Sequence, residues 1–407
     1  MDVSIRTISP EEAGDFVGHV EMAFGHDISP EGREHVRSFL ETERAIVAET
    51  AGNIIGTTAA FTFDYTVPGG AVQAAGVTMV GVLPSHRRRG VLTKMMHAQL
   101  RDVADRGEPL AVLWASEGAI YQRFGYGMAA RSMRISILRD RAKFVTPMPA
   151  NVSYRLLDLE EALELLPVVY DRVRERTPGL YGRSGAWWRH HTLRDEPEVR
   201  HGGGPMFRAL VEIDGEPRAY ALHRLHSKWD DGVPQGTLDV VETMADGPDA
   251  LRAVWEYIFG VDLVGVIEVW NLPSTLPLQH MLTEPRRLRA TLGDSIWARV
   301  VDVPSALGSR SYAVDETLVL EVTDPLLPDN EGRWALTISE GKASVERTQA
   351  PADLVMEIKD LGAIYLGGTK PSELAAASRI RASSPEVLLL ADAVFGWHIE
   401  PWCMEIF

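Results

Sequence analysis

The segment GVLPSHRRRGVLTKMM, residues 81–96, joins an apolar run to a helical pattern through three consecutive arginines and a glycine. Apolar residues recur at helical spacing from Val91 onward, which predicts an amphipathic helix. The first turn of a helix leaves backbone N–H groups unpaired and carries a partial positive charge. The arginines add to that charge, and Gly90 lets the backbone approach a ligand closely. The segment therefore predicts a strand, a loop and a helix that together bind phosphate.

A glycine interrupts the apolar run just before this loop, in Val80-Gly81-Val82. An interior glycine in a strand often marks a bulge or a close backbone approach. Bulged backbone N–H groups could polarise a carbonyl at this point. A ligand with pyrophosphate at one end and an acyl group at the other would suit both features. The alternative is an arginine-rich loop on a solvated surface.

Composition excludes several classes of function. The chain of 407 residues has a formal net charge of −16, which argues against a general nucleic-acid binder. No apolar run is long enough for a membrane span, and the N-terminal residues lack the apolar core of a signal peptide. Cys403 is the one cysteine, so no intramolecular disulfide can form. We expect a cytoplasmic protein without a nucleic-acid partner.

Strand and helix patterns predict a mixed α/β chain with domains at residues 1–147, 148–293 and 294–407. A stretch rich in proline and small polar residues marks the first boundary. The second domain partly repeats the first but lacks the arginine loop, because GTLDVVETMA runs into DGPDA. The third is an α+β region. Its apolar last residues, EPWCMEIF, predict a docked chain end.

Two other motifs suggest different chemistry. WASEG, residues 114–118, resembles a serine nucleophile elbow without its first glycine, and the oxyanion-type HGGG, residues 201–204, follows it instead of preceding it. HHTLRD, residues 190–195, matches the H-H-x-x-x-D pattern of condensation-type and chloramphenicol-type acyltransferases, but Glu196 replaces the usual glycine. The alternative interpretation of HHTLRD is a polar face of a helix beside two tryptophans. Adjacent histidines point to different helix faces, so we expect no metal site.

The loop and its surroundings resemble a known family. Residues 80–82 and 87–92 are similar to the [QR]-x-x-G-x-[GA] loop of GNAT-fold acetyltransferases, with Leu92 replacing the final small residue. Together with ASEGAIYQRFGYG, residues 115–127, they resemble the Eis family of bacterial N-acetyltransferases. The resemblance covers the whole chain, including LGAIYLGG at 361–368. It implies tandem GNAT domains, the second degenerate, followed by a sterol-carrier-protein-like domain.

The resemblance also implies an acetyl-CoA site and two proton-transfer groups. Tyr121 matches the family's general acid, with Tyr126 as a rival, and the terminal carboxylate of Phe407 matches its general base, with Glu117 as the next candidate. A carboxylate can accept the proton of the amine, and a phenol can donate to the leaving thiolate. The residues expected to bind acetyl-CoA are Val80, Gly81 and Val82 at the acyl end, Arg87, Arg88, Arg89, Gly90, Val91, Leu92 and Thr93 at the pyrophosphate, and Ser116 and Glu117 along the molecule.

The implied function is acetyl transfer from acetyl-CoA to primary amines by direct attack, without a metal. Aminoglycoside-type polyamines, acetylated at several sites, are the expected acceptors, with protein lysines as the alternative. The resemblance further implies a homohexamer. Two alternatives come from other classes: a lipid or small-ligand carrier, and an interaction protein with an inactive GNAT core. The sequence assigns no substrate role to Phe24, Asp27 or Glu405.

Overall fold

Two seven-stranded sheets and one five-stranded sheet organise the chain in a computed structural model, which describes residues 2–25 and 28–407. Asp27 lies outside the described residues. Across the first sheet the strands are Ser4–Thr7, Ile46–Thr50, Asn53–Val67, Gly70–Val82, Leu110–Trp114, Ile296–Val300 and Gly127–Met128. The helices of this part are Ala13–Phe24, Pro30–Phe39, Val91–Asp105 and Gly118–Tyr121.

The second sheet has the same number of strands. Their order is Thr291–Asp294, Arg131–Leu138, Val264–Pro273, Gly236–Ala245, Glu216–His226, Phe207–Ile213 and Val152–Leu156. A separate ribbon pairs Trp229–Asp230 with Val233–Pro234. The helices are Leu159–Arg174, Gly185–Trp187, the π-helical turn Trp188–Thr192, Pro248–Gly260 and Leu278–Met281.

The third sheet lies at the C-terminal part of the chain. Its strands follow in the order Lys342–Arg347, Gly332–Ser339, Thr317–Thr323, Leu354–Glu357 and Arg381–Ala382. The helices of this part are Val303–Ser309, Ile358–Tyr365, Pro371–Ala376 and Pro385–Phe395. Short 3-10 helices connect elements throughout, at Pro10–Glu12, Thr42–Arg44, Pro84–His86, Gln122–Phe124, Arg139–Arg141, Pro197–Arg200, Pro285–Leu288 and Pro328–Asn330.

Two strands pair in a sheet other than the one their position along the chain predicts. Arg131–Leu138, inside the predicted domain 1–147, belongs to the second sheet. Ile296–Val300, inside the predicted domain 294–407, pairs antiparallel with Leu110–Trp114 in the first sheet. Strand propensity is local, whereas the partner of a strand is chosen by tertiary packing. Sheet membership therefore crosses the predicted boundaries at both ends of the second domain.

The third part packs directly on the first sheet, because two glycines remove the side chains between them. A Cβ at Gly127 would lie 1.8 Å from the carbonyl oxygen of Lys359, and one at Gly362 would lie 2.3 Å from that of Ala298. Helix Ile358–Tyr365 can therefore lie against the backbone of the sheet. Among the described residues, no helix combines the length and the apolar character needed to cross a membrane.

Candidate active site

Two parallel strands of the first sheet separate at one end. Gly70–Val82 and Leu110–Trp114 pair at residues 74–76 and 110–112 and then part. A parallel ladder holds both strands by evenly spaced backbone hydrogen bonds, so its loss opens the sheet. The opening lies just before the arginine loop, where the sequence predicts an acyl site.

A bulge bends the first of these strands. Met79 and Val80 together oppose Thr58 of the neighbouring strand, because the register shifts by one residue there. Met79 has a φ of 54°, in the left-handed region, and the Thr57 hydroxyl donates to its carbonyl oxygen at 3.0 Å. Gly81, the glycine from which the sequence predicts a bulge, comes directly after Met79 and Val80. A Cβ there would lie 2.7 Å from the Cβ of Ala23, so close packing on the first helix requires the glycine.

A cavity of about 620 Å³, here called the loop cavity, occupies the opening between the strands. It brings together almost every residue that the sequence predicts for acetyl-CoA. The residues that line it are Ala23, Phe24, Val80, Gly81, Val82, His86, Arg87, Arg88, Gly90, Val91, Leu92, Thr93, Ser116, Glu117, Ile120, Tyr121 and Arg123. Of the predicted set, Arg89 is exposed and is absent from this lining.

The helix Val91–Asp105 presents its N-terminus to the loop cavity. Gly90 precedes it with a φ of 79° and no side-chain cap, so N–H groups of the first turn remain available. Such a terminus is a ready-made anion site. Arg88 also has a positive φ, 61°, which marks the strained turn that aims the loop.

Arg87 differs from its neighbours because its guanidinium is held by backbone oxygens. Nε donates to the carbonyl of Val82 at 3.0 Å, and Nη2 donates to the carbonyl of Ala23 at 3.0 Å. These contacts tie the loop to the end of the first helix. The geometry gives Arg87 a bracing role in addition to its charge.

Tyr121 lines the loop cavity and is 5 % exposed. Burial raises the pKa of its phenol to about 12, although a hydrogen bond with Ser116 opposes the rise and Glu117 adds to it. The phenol is therefore protonated at neutral pH and can donate. Tyr126, its rival, is fully buried, and its hydroxyl has no hydrogen-bond partner within the part of the chain that the structure describes.

The last residues of the chain contact the second part of the chain first, and the terminal residue then contacts the first sheet. The backbone N–H of Trp402 donates to the carbonyl of Pro178 at 2.9 Å, and the Asn271 amide donates to the carbonyl of Cys403 at 2.9 Å. Trp402 and Cys403 are buried, which confirms the predicted docked end. Ile406, by contrast, is 56 % exposed.

The chain ends on the bulged strand. The hydroxyl of Thr78 donates to the terminal Phe407 O at 2.9 Å. The Phe407 ring packs edge-on against Phe63 and Tyr181, with ring centroids 4.9 and 5.6 Å away. Thr78 lies two residues before Val80 on the same strand, so the terminal carboxylate is held close along the chain to a residue that lines the loop cavity.

Glu405 anchors this chain end in a buried set of donors, a role that the sequence did not reveal. Its Oε1 accepts from the Tyr181 hydroxyl at 2.9 Å, Arg183 Nε at 2.6 Å and Trp187 Nε1 at 3.0 Å, and its Oε2 contacts His191 Nδ1 at 3.0 Å and the Thr192 hydroxyl at 3.4 Å. Burial opposes the charge, but Arg183 and His191 outweigh it and lower the pKa of Glu405 to about 2. The carboxylate is therefore ionised.

A second cavity, of about 390 Å³, is lined in part by Phe407 and is here called the terminus pocket. Its lining consists of Val36, Phe39, Phe61, Met79, Trp187, His190, His191, Thr192, Arg194, Val199, Met206, Arg224, Val241 and Phe407. Met79 lines this pocket and Val80 lines the loop cavity, so adjacent residues of the bulge face the two spaces.

Comparison with known proteins identifies the family. Residues 4–129 and 179–300 match models of the GNAT acetyltransferase domain, and residues 303–404 match a sterol carrier protein domain. The N-acetyltransferase Eis of Mycobacterium tuberculosis is 35 % identical over 97 % of each chain. An uncharacterized N-acetyltransferase of Streptomyces avermitilis is 37 % identical over 99 % of each chain. The crystal structure of Eis1 from Mycobacterium abscessus has a TM-score of 0.86 at 34 % identity and covers 99 % of this chain and 100 % of its own.

The chain belongs to the Eis family of GNAT N-acetyltransferases. This confirms the family, the enzyme class and the tandem GNAT and sterol-carrier architecture that the arginine loop and its surroundings predict. GNAT acetyltransferases use acetyl-CoA as co-substrate. Among the described residues of this Eis-family chain, no group of three or more His, Cys, Asp or Glu side chains is placed to hold a metal.

Apart from Phe407, sequence reasoning did not assign the residues of the terminus pocket to the acetyl-transfer site. His190 and His191 both line it, whereas their adjacency predicted different helix faces. They lie in the π-helical turn Trp188–Thr192, which follows the short helix Gly185–Trp187. π-Helical turns occur often at functional sites, but no local pattern in HHTLRD announces one.

Proposed function

We propose that this Eis-family enzyme transfers the acetyl group of acetyl-CoA to a primary amine by direct attack at the chain end. The observation that carries the proposal is the position of the terminal carboxylate. Thr78 holds it on the same strand whose next residues, Val80, Gly81 and Val82, line the loop cavity. Amine, thioester and carboxylate can then meet at one bulge, and such proximity supplies much of the rate.

The loop cavity has the features that acetyl-CoA requires. The uncapped helix at Val91, with Arg88 beside it, suits the pyrophosphate. The separated strands leave backbone groups of residues 80–82 beside the space for the acyl arm. Bound there, acetyl-CoA supplies the activated thioester. Ser116 and Glu117 also line this cavity.

The chain's own groups move the protons. The carboxylate of Phe407 takes a proton from the amine, directly or through water, and its fixed position gives it the reach that a general base needs. Backbone N–H groups at the bulge stabilise the oxyanion. The Tyr121 phenol, kept protonated by burial, donates to the thiolate that leaves. Glu117 is the alternative base, since it lines the same cavity.

The acceptor and the assembly remain predictions. The sequence predicts aminoglycoside-type polyamines acetylated at several sites, with antibiotic resistance as a consequence, or alternatively protein lysines. It also predicts a homohexamer in the cytoplasm. Two cavities lined by the third part have charged side chains in their walls, Asp324 and Lys359 in one and Glu321, Arg333 and Arg347 in the other, and such walls do not favour the lipid-carrier alternative.

The test is release of free CoA thiol by the purified full chain with acetyl-CoA and a panel of primary amines: tobramycin, spermine, tryptamine and a lysine peptide. We expect release that depends on the amine and the enzyme. No release above background with any of them would contradict the proposal. Light scattering on the same preparation measures the mass of the assembly.

A further inference from the structure

We propose that His191 is a second proton acceptor in acetyl transfer and works together with the carboxylate of Phe407. The inference rests on the proposed function, because it concerns a step of that same reaction. It gives a role to one histidine of HHTLRD, a motif that the acetyl-CoA site leaves unexplained. His191 and Phe407 both line the terminus pocket, which reaches the bulge through Met79.

The reaction removes more protons from the amine than one carboxylate holds. A primary amine is an ammonium ion near neutral pH, so it loses one proton before it attacks the thioester and a second one as the amide forms. The leaving thiolate takes up one proton, which the Tyr121 phenol donates. Two protons thus leave the nitrogen in each turnover, one is consumed, and one must reach water. A second acceptor beside Phe407 therefore has a defined task.

His191 has the geometry of an oriented base. Its Nδ1 lies 3.0 Å from Oε2 of Glu405, whose carboxylate is ionised. An ionised carboxylate can only accept a hydrogen bond, so it fixes the ring proton on Nδ1. Nε2 then carries the lone pair and is the nitrogen left to meet a ligand in the terminus pocket. A base that a third group orients in this way is the arrangement that proton transfer needs.

Packing holds the ring of His191 but leaves it partly accessible. Its centroid lies 4.6 Å from that of Trp187, and Phe39 packs edge-on with its centroid 6.0 Å away. The side chain nevertheless keeps 28 % of its surface exposed. A proton taken from the amine can therefore pass on to water. Imidazoles ordinarily exchange their proton between about pH 5 and 8, which suits uptake and release in every turnover.

Other charged and titratable groups surround His191, so the pH profile of the wild type alone cannot identify the acceptor. Both arginines that line the pocket pair with carboxylates. Comparison of variants is needed to separate the histidines from one another. Among the described residues, the groups on the elements around His191 are His35 on helix Pro30–Phe39, His190 on the same turn, Arg194 with Glu196, Arg224 with Asp195, and Arg183 beside Glu405.

The test is the pH dependence of kcat/KM for the full-length wild type and His191→Asn with saturating acetyl-CoA. The acceptor is whichever of tobramycin, spermine, tryptamine and the lysine peptide the wild type turns over fastest. The asparagine amide can still donate to Glu405 but cannot take up a proton, so Tm should be unchanged. We expect kcat/KM to fall about 100-fold at pH 7. The deficit should shrink about tenfold per pH unit above this, because the fraction of amine that has already lost its first proton rises on that scale.

His19→Asn is the matched control. This histidine lies on helix Ala13–Phe24, where its Nδ1 contacts the carbonyl oxygen of Asp15 at 2.8 Å, and it is outside the lining of both cavities. Its profile should match that of the wild type.

Two outcomes would overturn the inference and leave the proposed function intact. One is that His191→Asn shows no loss, or a loss of equal size at every pH, since His191 would then at most anchor Glu405. The other is a pH-dependent loss in His190→Asn with none in His191→Asn. Absence of turnover by the wild type at every pH would instead contradict the proposed function, on which the inference rests.

Discussion

The two GNAT copies share a bulged central strand but place different chemistry after it. In the first copy, the bulge at Met79 and Val80 is followed by residues 83–90 with their arginines. In the second, the register between Glu216–His226 and Gly236–Ala245 shifts at Leu222, and residues 246–247 alone lead into the next helix. The second connection is too short to form a loop around a phosphate chain.

Charge strengthens the difference between the copies. Asp246 of the second connection pairs with Arg176 at 2.8 Å and with Arg218 at 3.2 Å, and Asp249 lies in the first helical turn. Acidic side chains thus occupy the helix N-terminus that would otherwise attract an anion. The second copy instead holds the chain end, because its Glu242 pairs with Arg183, which in turn binds Glu405. The first copy therefore carries the proposed acetyl-CoA site, and the second copy carries the contacts that hold the chain end.

The largest effect is expected from one glycine added after Phe407. The extension moves the carboxylate away from Thr78, and we expect kcat to fall about 1,000-fold, because a general base contributes on this scale. Binding of acetyl-CoA, measured by calorimetry, should be unchanged, since the acetyl-CoA site that we propose lies in the first copy. Ile406→Ala is the control, as that side chain is exposed. If the extended enzyme turned over as fast as the wild type, the general base would be Glu117 and not the terminal carboxylate.

Tyr121→Phe tests the acid of the first copy. We expect kcat to fall about 100-fold with little change in KM for acetyl-CoA, because the leaving thiolate loses its donor. Tyr126→Phe is the matched control in the same cluster. It removes a buried hydroxyl for which no described residue is a hydrogen-bond partner, so activity should persist and stability should hold or rise by about 1 kcal/mol. A loss of activity in Tyr126→Phe alone would mean that Tyr126, and not Tyr121, is the general acid.

Glu405→Gln tests whether the second copy acts as a clamp. The amide cannot balance Arg183 and His191, so we expect a loss of about 3 kcal/mol in unfolding free energy. We also expect kcat to fall about tenfold, because a loosened end misplaces the carboxylate. Glu400→Gln is the control on the same segment, with a single hydrogen bond from Ser274. Equal kcat values for the two variants would mean that the clamp does not serve catalysis.

Local chemistry explains which features the sequence could predict. The arginine loop, its helix and Tyr121 lie within one continuous stretch, so spacing and resemblance identify them together. The clamp joins Arg183, Glu242 and Glu405, which are distant along the chain and carry no motif. The sequence does not predict that Ile296–Val300 pairs in the first sheet for the same reason, because tertiary packing selects the strand with which it pairs.

A smaller effect is expected from the charge of the loop itself. The double change Arg88→Gln and Arg89→Gln should raise KM for acetyl-CoA about fivefold, as two exposed ion contacts are each worth well under 1 kcal/mol. The rise should shrink at high salt. Arg286→Gln, an exposed arginine of the second part, should leave KM unchanged. A KM that does not change in the double variant would make the helix N-terminus the whole phosphate site.

The smallest effect is expected when the stabilities of the wild type and Glu405→Gln are compared at different pH values between 5 and 8. The pKa of Glu405 is lowered from 4.5 to about 2 in the folded chain, so its contribution to stability is complete above pH 4.5 and is lost as pH falls towards 2. Between pH 5 and 8 the difference in Tm between the wild type and Glu405→Gln should therefore stay constant. Below pH 4.5 the difference should shrink as the wild-type Glu405 carboxylate takes up a proton and Arg183 loses one of its two acidic partners. A difference that persists undiminished near pH 2 would show that shape, and not charge, lets the second copy hold the chain end.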